Sequence, residues 1–258
     1  MWDNHQALRW LANALFALGA LLVIFKMGAW AVNSPVFPLK EVSVHGVRSG
    51  SGVSGKLTHV TREQIESAVH GKVTGNFFTV DLDATRQAFE KLPWVRAASV
   101  RRHWPQRLEV QLEEHVALAR WNNLALVNTY GEVFEIAMNA ADEKLPLFTG
   151  PAENAVAVDV ARQYAAFSKL LQPLQQQVTQ VNLSPRRAWR IRLESGTVLE
   201  LGREQMNARL ERYVAVYDRS LAPLQRRLDY VDLRYSNGFA VRLPGATQET
   251  SKKLKKAV

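Results

Sequence analysis

Between Trp10 and Phe25 the chain carries no charged residue, and beyond Lys26 the apolar run resumes through Met27, Gly28, Ala29, Trp30, Ala31 and Val32. A helix rises about 1.5 Å per residue, so this stretch is long enough to cross a hydrocarbon layer of ~30 Å. It is apolar on every side, unlike a helix that packs one face onto a soluble core. The expectation is one transmembrane helix over residues 10–32, preceded by a short segment, 1–9. Trp10, Leu11, Leu15, Phe16 and Leu18 anchor its first half, and Leu21, Leu22, Val23, Ile24, Phe25 and Trp30 its second. Trp10 and Trp30 fall where interfacial aromatics belong, and Lys26 lies close enough to the far end for its stem to carry the ammonium to the headgroups. Arg9 precedes the run and no comparable basic cluster follows it at once, which predicts the amino terminus inside and the bulk outside. Ala29-Trp30-Ala31 has the small-x-small form of a signal-peptidase site. The run nevertheless exceeds the roughly 7–15-residue apolar core of a signal peptide, and only Arg9 and the α-amino group charge its leading side.

Residues 33–39, Asn-Ser-Pro-Val-Phe-Pro-Leu, read as a short extended linker, since each proline biases its predecessor away from the helical region. Beyond it, 40–46 alternates Val42 and Val44 with polar neighbours as a first strand. Thr61-Arg62-Glu63-Gln64 is a capping-box sequence opening a helix on Ile65, Ala68 and Val69. Asp81 caps a second helix carrying Leu82, Thr85, Phe89 and Leu92. Two further strands, 95–102 and 107–113, flank the turn His103-Trp104-Pro105-Gln106; in the second, Leu108, Val110 and Leu112 alternate with Glu109, Gln111 and Glu113, the period of a sheet with one buried face. Trp94, Trp104 and Trp121 are expected to serve packing.

After Trp121 come short strands at 124–127 and 133–136 around a Tyr130-Gly131-Glu132 turn, then a polar interval ending in Leu145-Pro146-Leu147-Phe148-Thr149-Gly150-Pro151. A helix is expected near 155–171 and strands at 178–183, 189–193 and 198–201. Met206, Leu210, Val214, Tyr217 and Leu221 recur at spacings of three and four, as in an amphipathic helix. Asn237-Gly238 between the alternating runs 230–235 and 239–243 is a strong short-range hairpin signal. The polar tail 244–258, with Lys252, Lys253, Lys255 and Lys256, reads as disordered.

Pro93-Trp94-Val95, followed by Arg102-His103-Trp104-Pro105, the Leu108-to-Glu113 alternation and Ala119-Arg120-Trp121, resembles the end of a POTRA domain as found in the bacterial FtsQ/DivIB cell-division family. The resemblance implies an α+β protein: a single N-terminal transmembrane helix, a POTRA domain of order β-α-α-β-β over 40–115, and a second α+β domain with a mainly antiparallel sheet over 116–243. It further implies a non-enzymatic scaffold of the divisome in the inner membrane. Its bulk would be periplasmic and at the septum, linking early and late division proteins. Its partners would be FtsB and FtsL, together with FtsW/FtsI-type synthases. The family uses its carboxy-terminal strand region as an edge to which a partner adds. Carried onto matching positions, this points to Arg234, Tyr235, Ser236, Asn237, Gly238 and Phe239 in the run Val231-Asp232-Leu233-Arg234-Tyr235. Arg187 in Arg186-Arg187-Ala188-Trp189 is the candidate for a partner carboxylate. A POTRA-bearing accessory of outer-membrane protein assembly or secretion is the alternative. It would normally add a barrel of many alternating strands, of which this chain has too few.

The raw material for catalysis is poor. The histidines at 5, 45, 59, 70, 103 and 115 make no helical metal spacing, and no Gly-x-Ser-x-Gly elbow is present. Without cysteine there is no disulfide framework or thiolate metal site. Gly50-Ser51-Gly52-Val53-Ser54-Gly55 matches a dinucleotide fingerprint only in letters, because the following helix is capped at Thr61, too late for its amides to meet a pyrophosphate. The net charge of +9 is spread along the chain and concentrated in the tail, without a nucleic-acid recognition motif. Arg96, Arg101, Arg102 and Arg107 around the hairpin read as solvated strand positions, with a basic face toward anionic membrane as the alternative. No cofactor, nucleic acid or small-molecule substrate is expected.

Overall fold

The computed structural model describes residues 5–34, 37–47, 54–71, 73, 75–151, 153–222 and 228–244. The Gly/Ser loop between 48 and 53 and the expected tail from 245 on lie outside these residues. Two compact units divide between Glu114 and His115.

The first unit begins with α1 (His5–Asn33), apolar and, from Leu8 to Asn33, exposed except at the half-buried Ala29. It is longer than the apolar run alone suggested. β1 (Glu41–Val47) and β2 (Ser54–Gly55) follow, then α2 (Arg62–Val69), α3 (Leu82–Glu90), β3 (Val95–His103) and β4 (Arg107–Glu114). The sheet order is β2-β1-β4-β3, with β1 and β4 parallel and the other pairs antiparallel. A parallel pair needs a crossover, and the two helices supply it. The anticipated capping box is present: Gln64 N donates to Thr61 Oγ1 at 3.3 Å and Thr61 N to Gln64 Oε1 at 3.0 Å. Asp81 Oδ1 accepts from Ala84 N at 2.9 Å and starts α3 in the same manner. The core gathers Val60, Ala68, Phe89, Val95, Ala98, Val110 and Leu112. The two-residue β2 is an addition that the Gly/Ser composition of its surroundings concealed.

The second unit is built on one sheet of order β13-β12-β11-β10-β9-β8-β5-β6-β7. Its strands are β5 (Ala117–Trp121), β6 (Ala125–Asn128), β7 (Val133–Phe134), β8 (Leu147–Thr149), β9 (Val178–Leu183), β10 (Trp189–Leu193), β11 (Val198–Gly202), β12 (Tyr230–Asp232) and β13 (Ala240–Arg242). The sheet is mixed and mostly antiparallel, the parallel joins being β5–β8, β8–β9 and β11–β12. α4 (Asn154–Leu171) and α5 (Met206–Val216) pack on it, and α5 runs into a π-helical turn, Tyr217–Leu221. Strand β10 shows the sheet's two faces: Trp189, Ile191 and Leu193 are buried under the helices, while Arg190 and Arg192 point away. Phe167 on α4 is fully buried in this core, where truncation to alanine costs about 3–5 kcal/mol.

Gly131, at the β6–β7 turn, has φ +83°, and a Cβ there would stand 2.5 Å from Val158 Cα. The turn thus seats backbone against backbone on α4, which only glycine permits.

Candidate partner-docking edge

β13 closes one end of the nine-stranded sheet, so one side of its backbone has no strand beside it among the described residues. It pairs antiparallel with β12 through Tyr230↔Arg242, Val231↔Val241 and Asp232↔Ala240. β12 in turn lies parallel to β11, and Leu233 N extends that ladder to Glu200 O at 2.9 Å.

The connection from β12 to β13 departs from the sequence expectation. Asn237-Gly238 does not form a two-residue hairpin. Neither residue has the positive φ that such a turn requires, and the strands stop at Asp232 and resume at Ala240. Side chains hold the residues after Leu233 out of the ladder. Arg234 donates from Nε to Asp232 Oδ1 at 2.9 Å and from Nη2 to Oδ2 at 2.7 Å. From α5, Arg212 Nη1 donates to Tyr235 O at 2.9 Å and Ser236 O at 2.6 Å. The loop is therefore pinned at its start and middle, and residues 234–237 are exposed.

Of the candidate residues, Tyr235 projects a ring that is 58% exposed, whereas Phe239 packs against the core together with Val241. Gly238 is half-buried, with open space where a Cβ would stand. Arg187 sits apart from the 234–239 run in sequence, in the turn between β9 and β10. Its φ is +61°, its N–H donates to Ser184 O at 2.8 Å, and its guanidinium lies 3.8 Å from Glu153. That long, exposed ion pair contributes little, so the Arg187 fork is available to another carboxylate. It and Arg234 do not share a hydrogen-bonded network, but Ala188 and Arg234 border one shallow depression with Glu200, Gly202 and Arg209.

The electrostatics of the edge follow from a buried acidic pair. Glu200 accepts from Arg190 Nε at 2.7 Å, and Arg209 Nη1 reaches Leu201 O. The hydrogen bond from Arg234 holds the Asp232 carboxyl below its ordinary value against the opposing effect of burial, and the same pairing raises Arg234. Burial and the neighbouring Asp232 and Glu200 charges push the Tyr230 phenol up. Gly202 has φ +78°, and a Cβ there would meet Arg209 Nη1 at 2.6 Å and Arg234 Cγ at 3.2 Å, so its bareness makes room for both arginines.

Sequence reasoning missed the positioning roles of Asp232 and Arg212. Asp232-x-Arg234 could have been found, because residues two apart in an extended chain share a face. Arg212 carried no local signal, since its targets lie 23 and 24 residues away. Trp121 is buried and Trp94 packs partly against the first unit's core, but Trp104, expected to pack, is 65% exposed. Arg102, expected as a solvated strand position, instead grips the carbonyls of Phe77, Phe78 and Val80 at 2.8–3.1 Å. Among the described residues no three His, Asp or Glu side chains converge as a metal site.

A helix of bilayer length, a small β1-to-β4 unit with a helical crossover and a larger sheet with an open edge define a POTRA-bearing protein with an apolar N-terminal helix. Residues 52–115 match the family model for the FtsQ-type POTRA domain, and residues 119–234 match that for the C-terminal region of cell division protein FtsQ/DivIB. The chain belongs to the FtsQ/DivIB family of cell division proteins. It is 56% identical over 242 residues to the cell division protein FtsQ of Nitrosospira multiformis, covering 94% of this chain and 99% of that one. The corresponding protein of Burkholderia pseudomallei is 40% identical over 250 residues, covering 95% of each chain. That of Bordetella pertussis is 34% identical over 261 residues, covering 94% of this chain and 93% of the relative.

Proposed function

We propose that this protein is a non-enzymatic scaffold of the division machinery. In this reading α1 crosses the inner membrane with its amino terminus in the cytoplasm, and both units work in the periplasm at the septum. There the protein binds FtsB and FtsL, and through them stands between early division proteins and the FtsW/FtsI-type synthases. The observation that carries the reading is the open outer edge of β13 with the pinned, exposed segment 234–237 beside it. An extended segment of a partner adds to such an edge through main-chain hydrogen bonds, and the adjoining side chains select among partners. Tyr235 offers an amphipathic ring, and Arg187 offers a planar donor fork for a carboxylate. Family membership and the bilayer-length helix support the same reading.

The test is capture. The full chain, tagged and held in nanodiscs, is presented with the periplasmic segments of FtsB and FtsL. Retention that a preformed β-hairpin peptide docked on β13 blocks is the expected result. Failure of the wild-type chain to retain either segment would remove the basis for the scaffold role.

A further inference from the structure

Three hydrogen-bonded ties bring one edge of the first unit to the end of α1. Asn76 Nδ2 donates to Val32 O at 2.6 Å and Ser34 O at 3.0 Å, among the last carbonyls of the helix and its exit. Phe77 N donates to Phe37 O at 3.0 Å, and Lys40 N to Gln106 O at 3.0 Å in the β3–β4 turn. The remaining capacity of Asn76 is used locally, its Oδ1 accepting from Phe78 N and Thr79 N, so the tie is part of a closed network.

On this edge the aromatics are linked ring to ring through the buried Phe77, with Phe78 and Trp104 exposed and Phe37 half-buried. Phe37 and Phe78 meet edge to face at 5.2 Å, Phe78 and Phe77 at 5.2 Å, and Phe77 and Trp104 at 5.9 Å. Trp104 is 65% exposed and Phe78 40%, large values for rings in a unit with its own filled core. Arg102 supports the cluster from behind through the Phe77, Phe78 and Val80 carbonyls, so the rings stand on a fixed backbone. Lys40, Arg101 and Arg107 are exposed at the same end of the sheet, Arg101 and Arg107 on the face opposite Arg102; the carboxylates set against them are Glu41, 3.8 Å from Arg107, and Glu109, in register with Arg101. Trp30, also exposed, completes the aromatic series on the helix itself.

We infer that the ridge of Phe37, Phe78 and Trp104, with Lys40, Arg101 and Arg107, is a second membrane contact that seats the first unit on the headgroup region of an anionic bilayer. This rests on the reading of α1 as a membrane span. A surface tethered within a few residues of a span cannot leave the interface. Aromatic rings favour that depth, and basic side chains are drawn to anionic headgroups. The ridge fixes the unit's attitude to the membrane at a second point, so the unit does not swing about the helix exit.

The chain contains no cysteine, so one introduced thiol carries one spin label. Full chains bearing Trp104→Cys, Phe78→Cys, Trp30→Cys or Arg62→Cys are placed in nanodiscs of phosphatidylcholine with about one-third phosphatidylglycerol. Collision with dissolved oxygen and with a water-soluble nickel chelate is then compared, with folding checked by circular dichroism. Labels at 104 and 78 should report interfacial depth, as at 30, while the label on the exposed Arg62 site of α2 reports water. Removing phosphatidylglycerol, or adding Arg101→Glu with Arg107→Glu, should shift the label at 104 toward water. Labels at 104 and 78 as nickel-accessible as the one at 62, with 30 still in lipid, would overturn the ridge and leave it as a surface for a protein. A label at 30 that is itself aqueous would overturn the span first. Insensitivity to lipid charge would overturn the part given to Lys40, Arg101 and Arg107.

Discussion

The guanidinium of Arg234 grips the carboxylate of Asp232 with two donors, at 2.9 and 2.7 Å, although only one residue separates them in the chain. The pair ends β12 and starts the loop that leads to the open edge. A lysine at 234 presents a point charge in place of the fork and cannot reproduce both contacts. Arg234→Lys should therefore lower stability by only about 0.5–1 kcal/mol, since the arginine is half in solvent, yet loosen residues 234–237 and weaken partner capture. Thermal unfolding of the full chain in nanodiscs, alongside capture, measures both.

The same pair sets an acid dependence. Folding lowers the Asp232 pKa, so its stabilisation is complete above the unfolded value of about 3.9 and is lost as pH falls through the lower folded value. Asp232→Asn should therefore melt below wild type at pH 7 and approach it in more acidic buffer. A constant difference between the two melting temperatures from pH 7 down to pH 2 would contradict this.

Tyr235 and Phe239 separate binding from folding. The Tyr235 ring lies mostly in solvent and Phe239 packs on the core. Tyr235→Ala should leave the unfolding free energy within about 0.5 kcal/mol of wild type while reducing capture of the partner segments at least tenfold. Phe239→Ala should lose stability and capture together, by about 1–2 kcal/mol in stability because its burial is partial.

At Gly131 the positive φ and the approach to Val158 act in the same direction. Gly131→Ala should cost about 3 kcal/mol, the sum of a left-handed alanine and an overpacked contact against helix backbone. Gly238→Ala, with open space and ordinary φ, serves as its neutral counterpart. Denaturant unfolding of the two variants side by side decides the matter.

Asn76→Ala should leave Phe78 N and Thr79 N without their acceptor and Val32 O and Ser34 O without their donor. These groups are mostly part-buried and water can reach them, so the loss should be about 1–2 kcal/mol in all. Hydrogen exchange should accelerate at the amides of 78 and 79 while the β3–β4 ladder stays protected.

What could be read from the sequence was what local chemistry determines. The capping box at Thr61, the cap at Asp81 and the alternation on β4 each follow from spacings within one turn or one strand. β8 escaped because three residues, Leu147–Thr149, lie between Pro146 and Pro151 and carry too little pattern to announce a strand. Their place between β5 and β9 is decided by parallel partners distant in sequence. The Asn237-Gly238 signal gave the hairpin, since β12 and β13 pair antiparallel, but not its turn: Arg212, contributed by α5, holds Tyr235 and Ser236 where a tight turn would not put them. At the edge itself, the run 231–239 was legible as a motif, but which of its side chains faces water was set by tertiary packing.

The strand at the open edge comes after every other described element, and it joins the sheet only through β12, which itself waits on β11 and α5. A chain emerging residue by residue cannot display that edge until the rest of the second unit has folded. If partners dock on β13 as proposed, recruitment is ordered in time: they engage finished molecules, and a chain stalled or cut upstream of Ala240 presents them with nothing to join.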